Sequence, residues 1–333
     1  MFVLLGQFGT NFPTPDYDEI AVVLRDRGHD VWVATPNEDG DLVVNNGHKD
    51  VDRLQKPNVP TGRLWLIPGL KRLVYLATEW IFALRLRRFI HQHDFDIVHL
   101  NRSKLIFFWM IPFWSSNRTR FVLDWRQIGE RQYKGLLRGI KRFVAVQYRR
   151  IPSRHIYDQA CFLHAAGANR VLGKHWSRWA TVVPLAVSDE FFADYDDGEA
   201  FNGPDSAVRF VYIGTLNRVR RLENIISAAQ KIRSNSNGIK SFEISFIGPD
   251  KTNGQYQRMV EQLHLETIVN IKSPIPYQDV PHVLSEYDVA LAYVPEHPLD
   301  WQYHPTLKVL EYRASGMPII ATDFQPNRDI VEH

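Results

Sequence analysis

Lys308 and Glu311 stand three residues apart in the segment His304-Pro305-Thr306-Leu307-Lys308-Val309-Leu310-Glu311-Tyr312-Arg313-Ala314-Ser315-Gly316-Met317-Pro318-Ile319-Ile320-Ala321-Thr322. Pro305 suits the first turn of a helix. Leu307, Leu310 and Ala314 recur at helical spacing, which predicts an apolar stripe with Lys308, Glu311 and Arg313 left off it. Gly316 can close the helix in a left-handed conformation, and Pro318 stops it from resuming. The free N–H groups and dipole of such a helix start attract anions, and Lys308 adds a cation. The segment therefore suits anion binding. An ordinary helix-turn-strand with surface charges is the competing reading.

A second cluster follows Gly214: Thr215-Leu216-Asn217-Arg218-Val219-Arg220-Arg221-Leu222. Arginine can grip a phosphate with two N–H groups at once, so Arg218 and Arg220 are phosphate candidates. A solvated basic turn is the alternative. Asp124 and Arg126 close the predicted strand 120–126, at the end where open α/β sheets bind ligands. They could equally form a structural ion pair. His99 closes another strand and reads more simply as a hydrogen-bonded structural residue. Gly9, in the first loop, would admit a close backbone approach; a lone glycine is a weak signal. No Asp-x-Asp pair falls at a strand end, so no catalytic metal is expected.

These residues need strand ends and helix starts to hold them. Apolar runs at 2–5, 30–35, 95–100, 120–126 and 180–187 alternate with helical patterns. The alternation resumes with strands at 208–214, 242–248, 269–271, 289–294 and 319–321. Two doubly wound α/β domains follow, with parallel sheets. Their expected bounds are 1–187 and 208–333, joined by an acidic, Gly/Pro-containing linker at 188–207. Residues 36–62 are polar and read as loop. Residues 64–89 mix aromatic and basic side chains, which fits either an anionic membrane surface or a core helix with a solvated face.

Composition narrows the function classes. A formal net charge of +3 gives no argument for nucleic acid. Cys161 is the single cysteine, which rules out a disulfide framework or a cysteine metal site within the chain. No leader-like start and no apolar run long enough to span a bilayer is visible, so a cytoplasmic protein is expected, with the inner membrane face as a peripheral location.

The proline, Lys308, Glu311, Ala314-Ser315-Gly316-Met317-Pro318 and the strand after them resemble the donor-binding segment of GT-B glycosyltransferases, above all retaining family 4. Leu24-Arg25-Asp26-Arg27-Gly28-His29-Asp30-Val31 and Asp96-Ile97-Val98-His99 resemble that family's first helix-to-strand step and a later strand. The resemblance implies two Rossmann-like domains facing a cleft, the first holding acceptor and the second a nucleotide sugar. It implies that Glu311 holds the ribose, while Gly9, Gly214, Arg218, Arg220 and Lys308 surround the diphosphate and Asp124 and Arg126 serve the acceptor side. The donor is a substrate, and no cofactor is implied.

The sequence departs from the family in four places. The family's phosphate arginine is Thr215 here, and its glycine is Arg221. Its Asn-Gly before the linker is Leu185-Ala186. Its first glutamate, separated from the second by seven intervening residues, falls at Tyr303, leaving Asp300, Tyr303 and His304 as local sugar-contact candidates. GT-B chains also continue beyond a strand like Ile319-Ile320, so the C-terminal end reads as incomplete. The expected activity is sugar transfer to a glycan, lipid-linked or polysaccharide acceptor. A sugar-nucleotide epimerase and a non-catalytic donor-binding module are the rivals.

Overall fold

The computed structural model describes residues 2–5, 15–36, 41–47, 50–55, 70–101, 118–125, 138–192, 207–234, 241–296 and 299–332. The chain divides into two compact units, with the boundary between Pro184 and Leu185.

The first unit runs β1 (Phe2–Leu5), α1 (Pro15–Asp26), β2 (Val31–Pro36), β3 (Leu42–Asn45), β4 (Asp50–Leu54), α2 (Leu70–His93), β5 (Ile97–Asn101), β6 (Arg120–Trp125), α3 (Arg138–His155), β7 (Gln159–Phe162), α4 (Ala165–Leu172) and β8 (Ala180–Val182). Its sheet has the order β4-β3-β2-β1-β5-β6-β7-β8. Pairing is parallel except where β3 meets β2 and β4. The β3–β4 hairpin falls in the stretch expected to be loop. Leu42 and Val44 are fully buried on one side of β3, a two-residue alternation. Asn46-Gly47 follows β3, and Gly47 has φ +93, the left-handed backbone that hairpin turns require. The expected strand 180–187 is shorter, ending at Val182.

Strand register separates the two faces of this sheet. Ala21 of α1 packs on Val31 and Val33. Trp32, pointing the other way, meets Phe89 and His93 of α2 at ring separations of 6.3 and 4.9 Å. Trp32, Val98 and Phe121 lie in one row across the sheet, so Leu123 and Trp125 share the α2 face. Trp125 Nε1 donates to Ser153 Oγ of α3 at 2.8 Å. Helices α2 and α3 therefore cover the same face. The basic-aromatic stretch is thus partly a core helix, with Phe82, Leu86, Phe89 and Ile90 buried.

The second unit runs β9 (Val208–Ile213), α5 (Glu223–Ser234), β10 (Phe242–Ile247), α6 (Gln255–Gln262), β11 (Val269–Lys272), α7 (Val280–Leu284), β12 (Val289–Ala292), α8 (Leu307–Ala314), β13 (Ile319–Ala321) and α9 (Gln325–Val331). All neighbours in the sheet β11-β10-β9-β12-β13 are parallel. The chain moves from β9 to β10 and β11 on one side, then crosses to β12 and β13 on the other. The switch between β9 and β12 is where such sheets open a ligand crevice at their C-terminal ends. At the opposite end, Arg209 Nε and Nη2 donate to Asp288 at 3.2 and 3.0 Å, tying β9 to the segment entering β12. Apolar clusters fill both faces: one holds Tyr212, Ile226 and Phe246, the other Val211, Val309 and Tyr312.

Candidate active site

Helix α8 turns the opposite way from the predicted stripe. Its buried residues are Lys308, Val309, Glu311 and Tyr312. Val309 and Tyr312 compete with Leu307 and Leu310 for the core, and they win because they fill the second apolar cluster. Tyr312 also accepts a hydrogen bond from Ile213 N–H at 2.9 Å through its hydroxyl. Locking that face inward carries Lys308 and Glu311 inward with it.

Among the described residues, no carboxylate forms an ion pair with Lys308. Its Nζ lies 3.6 Å from the centroid of the Tyr212 ring and has no hydrogen-bond partner. Burial holds its pKa well below the usual 10.5, the nearby Arg220 charge lowers it further, and Glu311 acts the other way. Thr306 caps α8 with extended backbone and no side-chain capping bond, and its buried Oγ1 lacks a partner. The helix start therefore keeps unused polar groups beside a buried amine.

Gly214 lies against this amine. A Cβ on Gly214 would sit 3.1 Å from Lys308 Nζ, and its φ of +146 already disfavours a side chain. A Cβ on Gly248, at the end of β10, would collide with the Gly214 carbonyl oxygen. The two strand ends thus need glycine for close backbone approach.

Arg220 reaches the same place from a short 3-10 turn, Arg218–Arg220. Asn217 Oδ1 accepts from Arg220 N–H at 3.0 Å and caps the turn. The Tyr256 hydroxyl donates to Asn217 O at 2.8 Å and accepts from Leu222 N–H at 3.3 Å, holding both ends of the loop. Burial pushes that phenol up to about 12, so it stays a neutral donor. The Arg220 guanidinium lies over Trp301, 4.5 Å from the ring centroid. Its Nη1 is buried and has no hydrogen-bond partner. Arg221, at the family's glycine position, adopts φ 49 and ψ 44. The turn demands a left-handed residue there, and an arginine accepts that strain.

The structure brings Gly214, Arg220, Lys308 and Glu311 together. Arg218 is exposed on the outside of its turn. Gly9 and Arg126 lie outside the described residues. Asp124 belongs to the first unit, where it is buried and its Oδ2 lies 3.0 Å from His99 Nε2. The sequence marked Asp124 and His99 separately; their register, with His99 opposite Val122 and Asn101 opposite Asp124, makes them a pair. Trp301 and Tyr256 were missed, since their partners are distant in sequence. Among the described residues, no group of three or more His, Cys, Asp or Glu could hold a metal ion.

A cavity of about 600 Å³ elsewhere in the second unit is lined by Phe210, Ile225, Ile232, Phe242 and Ile320, among others. Its lining lacks the cations found at the strand ends, so charge places the candidate site at Lys308 rather than at this cavity.

Comparison with known proteins identifies the family. Residues 16–186 match the Glycosyl transferase 4-like domain, and residues 198–333 match Glycosyl transferases group 1. No curated protein matches in sequence. Among solved structures, HepE of Anabaena, in complex with UDP and glucose, is similar at TM-score 0.60 and 12% identity, over 100% of this chain and 83% of that one. Sucrose-phosphate synthase from Thermosynechococcus elongatus is similar at TM-score 0.60 and 14% identity, over 97% and 81%. A glycosyltransferase from Rickettsia africae ESF-5 gives TM-score 0.62 and 11% identity, over 100% and 81%. At such identities the structural likeness speaks for the fold. With the two domain matches covering most of its length, the chain belongs to the group 1 glycosyltransferases of GT-B fold.

Proposed function

We propose that this glycosyltransferase moves a sugar from a nucleoside diphosphate sugar to a glycan, lipid-linked or polysaccharide acceptor, with retention and without a metal. One observation carries the donor assignment: Lys308 Nζ and Arg220 Nη1 are both buried and both lack hydrogen-bond partners. Leaving such groups unpaired costs free energy. A diphosphate would supply the missing acceptors and charge. HepE was solved with UDP and with UDP-glucose, which makes uridine the first base to test.

In this reading Arg220 and Lys308 hold the diphosphate, and Glu311 accepts from the ribose hydroxyls. The chain's role is positioning and stabilising charge on the departing group. The bond from the anomeric carbon to the diphosphate oxygen breaks. The acceptor oxygen bonds to that carbon from the same face, and its proton passes to a phosphate oxygen. No carboxylate nucleophile is then required. Asp124 with His99, and Arg126, are assigned to the acceptor side.

Incubation with UDP-, GDP- and ADP-sugars tests the assignment. One of them is expected to release free nucleoside diphosphate. The rate with Glu311→Ala is expected to fall by about 10–100-fold, the worth of a hydrogen bond to a charged group. Absence of release from every donor by folded wild type, with acceptor extracts present, would contradict it.

A further inference from the structure

Helices α2 and α3 share one face of the first sheet, and their outward sides are apolar where solvent would favour polar residues. On α3, Ile140, Phe143, Val144 and Ile151 lie on one side of the helix, and Phe143 is 63% exposed. On α2, Ile81 and Leu84 are exposed opposite its buried core residues. Exposed apolar residues occurring singly need no explanation, whereas a row along one helix does.

The charge around that row is one-sided. Together α2 and α3 contain eleven Lys or Arg and one carboxylate, Glu79, while the whole chain has 40 basic and 37 acidic residues. The rest of the chain is therefore net acidic, and the near-neutral total conceals two basic helices. Some of these cations also brace the fold. Arg150 Nε donates to Val171 O at 3.0 Å and Arg154 donates to Leu172 O, so both hold the C-terminal end of α4. Lys141, Arg85 and Arg88 are exposed.

We propose that this α2–α3 face docks on an anionic lipid surface, with the α3 row Ile140–Phe143–Val144–Ile151 entering the interface. Apolar side chains would leave water while the surrounding cations meet lipid phosphates, the combination that interfacial helices use. A buried core face rules out a wholly inserted α2, and among the described residues no helix is long and apolar enough to cross a membrane. The contact is therefore peripheral. An acidic protein partner would also meet the cations, but charge alone would not account for the exposed Ile140, Phe143, Val144 and Ile151, whose row only Gln147 interrupts.

Co-sedimentation of the full chain with vesicles tests this without any donor present. One set is phosphatidylcholine alone and the other contains about one third phosphatidylglycerol. Binding is expected only to the anionic set and to weaken with added salt. Lys141→Glu, and separately the double substitution Ile140→Ser with Phe143→Ser, should each weaken it by about tenfold or more. These positions are exposed, so folding should survive, as circular dichroism would confirm. No binding to anionic vesicles, or binding unchanged by the double substitution, overturns the proposal. Nucleotide release is a separate readout, so failure here leaves the donor-site assignment standing and the converse also holds.

Discussion

Lys308→Met is expected to stabilise the second unit while removing its affinity for nucleoside diphosphate. The amine is buried, without a hydrogen-bond partner, and held well below its usual pKa by burial and by Arg220. Methionine fills similar volume without the desolvation penalty. Replacing buried ionic groups by apolar ones of like size can stabilise by about 1–4 kcal/mol. A rise of roughly 2–4 °C per kcal/mol gained should appear in thermal unfolding.

The pH dependence has a fixed sign. Between the lowered folded pKa and 10.5, the unfolded chain binds more protons at this site than the folded chain does. Stability therefore rises with pH across that window. The advantage of Lys308→Met over wild type should shrink as pH climbs toward the ordinary lysine value and level off above it. A variant less stable than wild type at neutral pH, or an advantage that grows with pH, would show that burial does not disfavour the charged form of Lys308.

Arg220→Ala is expected to weaken nucleoside diphosphate binding by about 10–100-fold, the range for a lost charged hydrogen bond. Its guanidinium is set by three separate devices: the Asn217 cap, the Tyr256 hydroxyl and the Trp301 ring. Trp301→Leu keeps the charge and removes only the stacking partner, so a smaller loss of about 3–10-fold follows from the usual cation–π energy. In the double variant the Trp301 effect should disappear, since the ring would act only through Arg220. Fully additive losses would instead mean that Trp301 touches the donor directly. Equal binding by wild type and Arg220→Ala would remove Arg220 from the site.

The strand-helix alternation was readable because buried parallel strands are short apolar runs and Gly or Pro punctuates their ends. Val208–Ile213 and Phe242–Ile247 follow that rule, and the edge strand Ile319–Ala321 keeps the apolar run although Ile320 is exposed. Helix α8 was harder. Leu307, Leu310 and Ala314 form one valid helical stripe, and Val309 with Tyr312 begin another. Tertiary packing chose the second, and with it the burial of Lys308 and Glu311. A helix that buries two charges contradicts the ordinary pattern, and such conflicts gather at functional sites. The hairpin Leu42–Leu54 carried its signal in Asn46-Gly47, hidden by a polar surrounding stretch. Arg220 with Trp301, and Asn217 with Tyr256, join residues far apart in the chain. Their spacing carries no local signal, so only the fold could pair them.

Calorimetric titration of UDP, GDP and ADP at about pH 8.5 in two buffers of different ionisation heat tests the anion site most directly. A nucleoside diphosphate is fully ionised there, its last phosphate pKa being ~6, so any proton uptake belongs to the protein. An incoming diphosphate should raise the lowered pKa of Lys308 back toward its ordinary value. One nucleotide is therefore expected to bind with net proton uptake, its monophosphate much more weakly, and Lys308→Met should show neither binding nor uptake. Binding without proton exchange, and undiminished in Lys308→Met, would contradict the assignment of the buried Lys308–Arg220 pair as the diphosphate site.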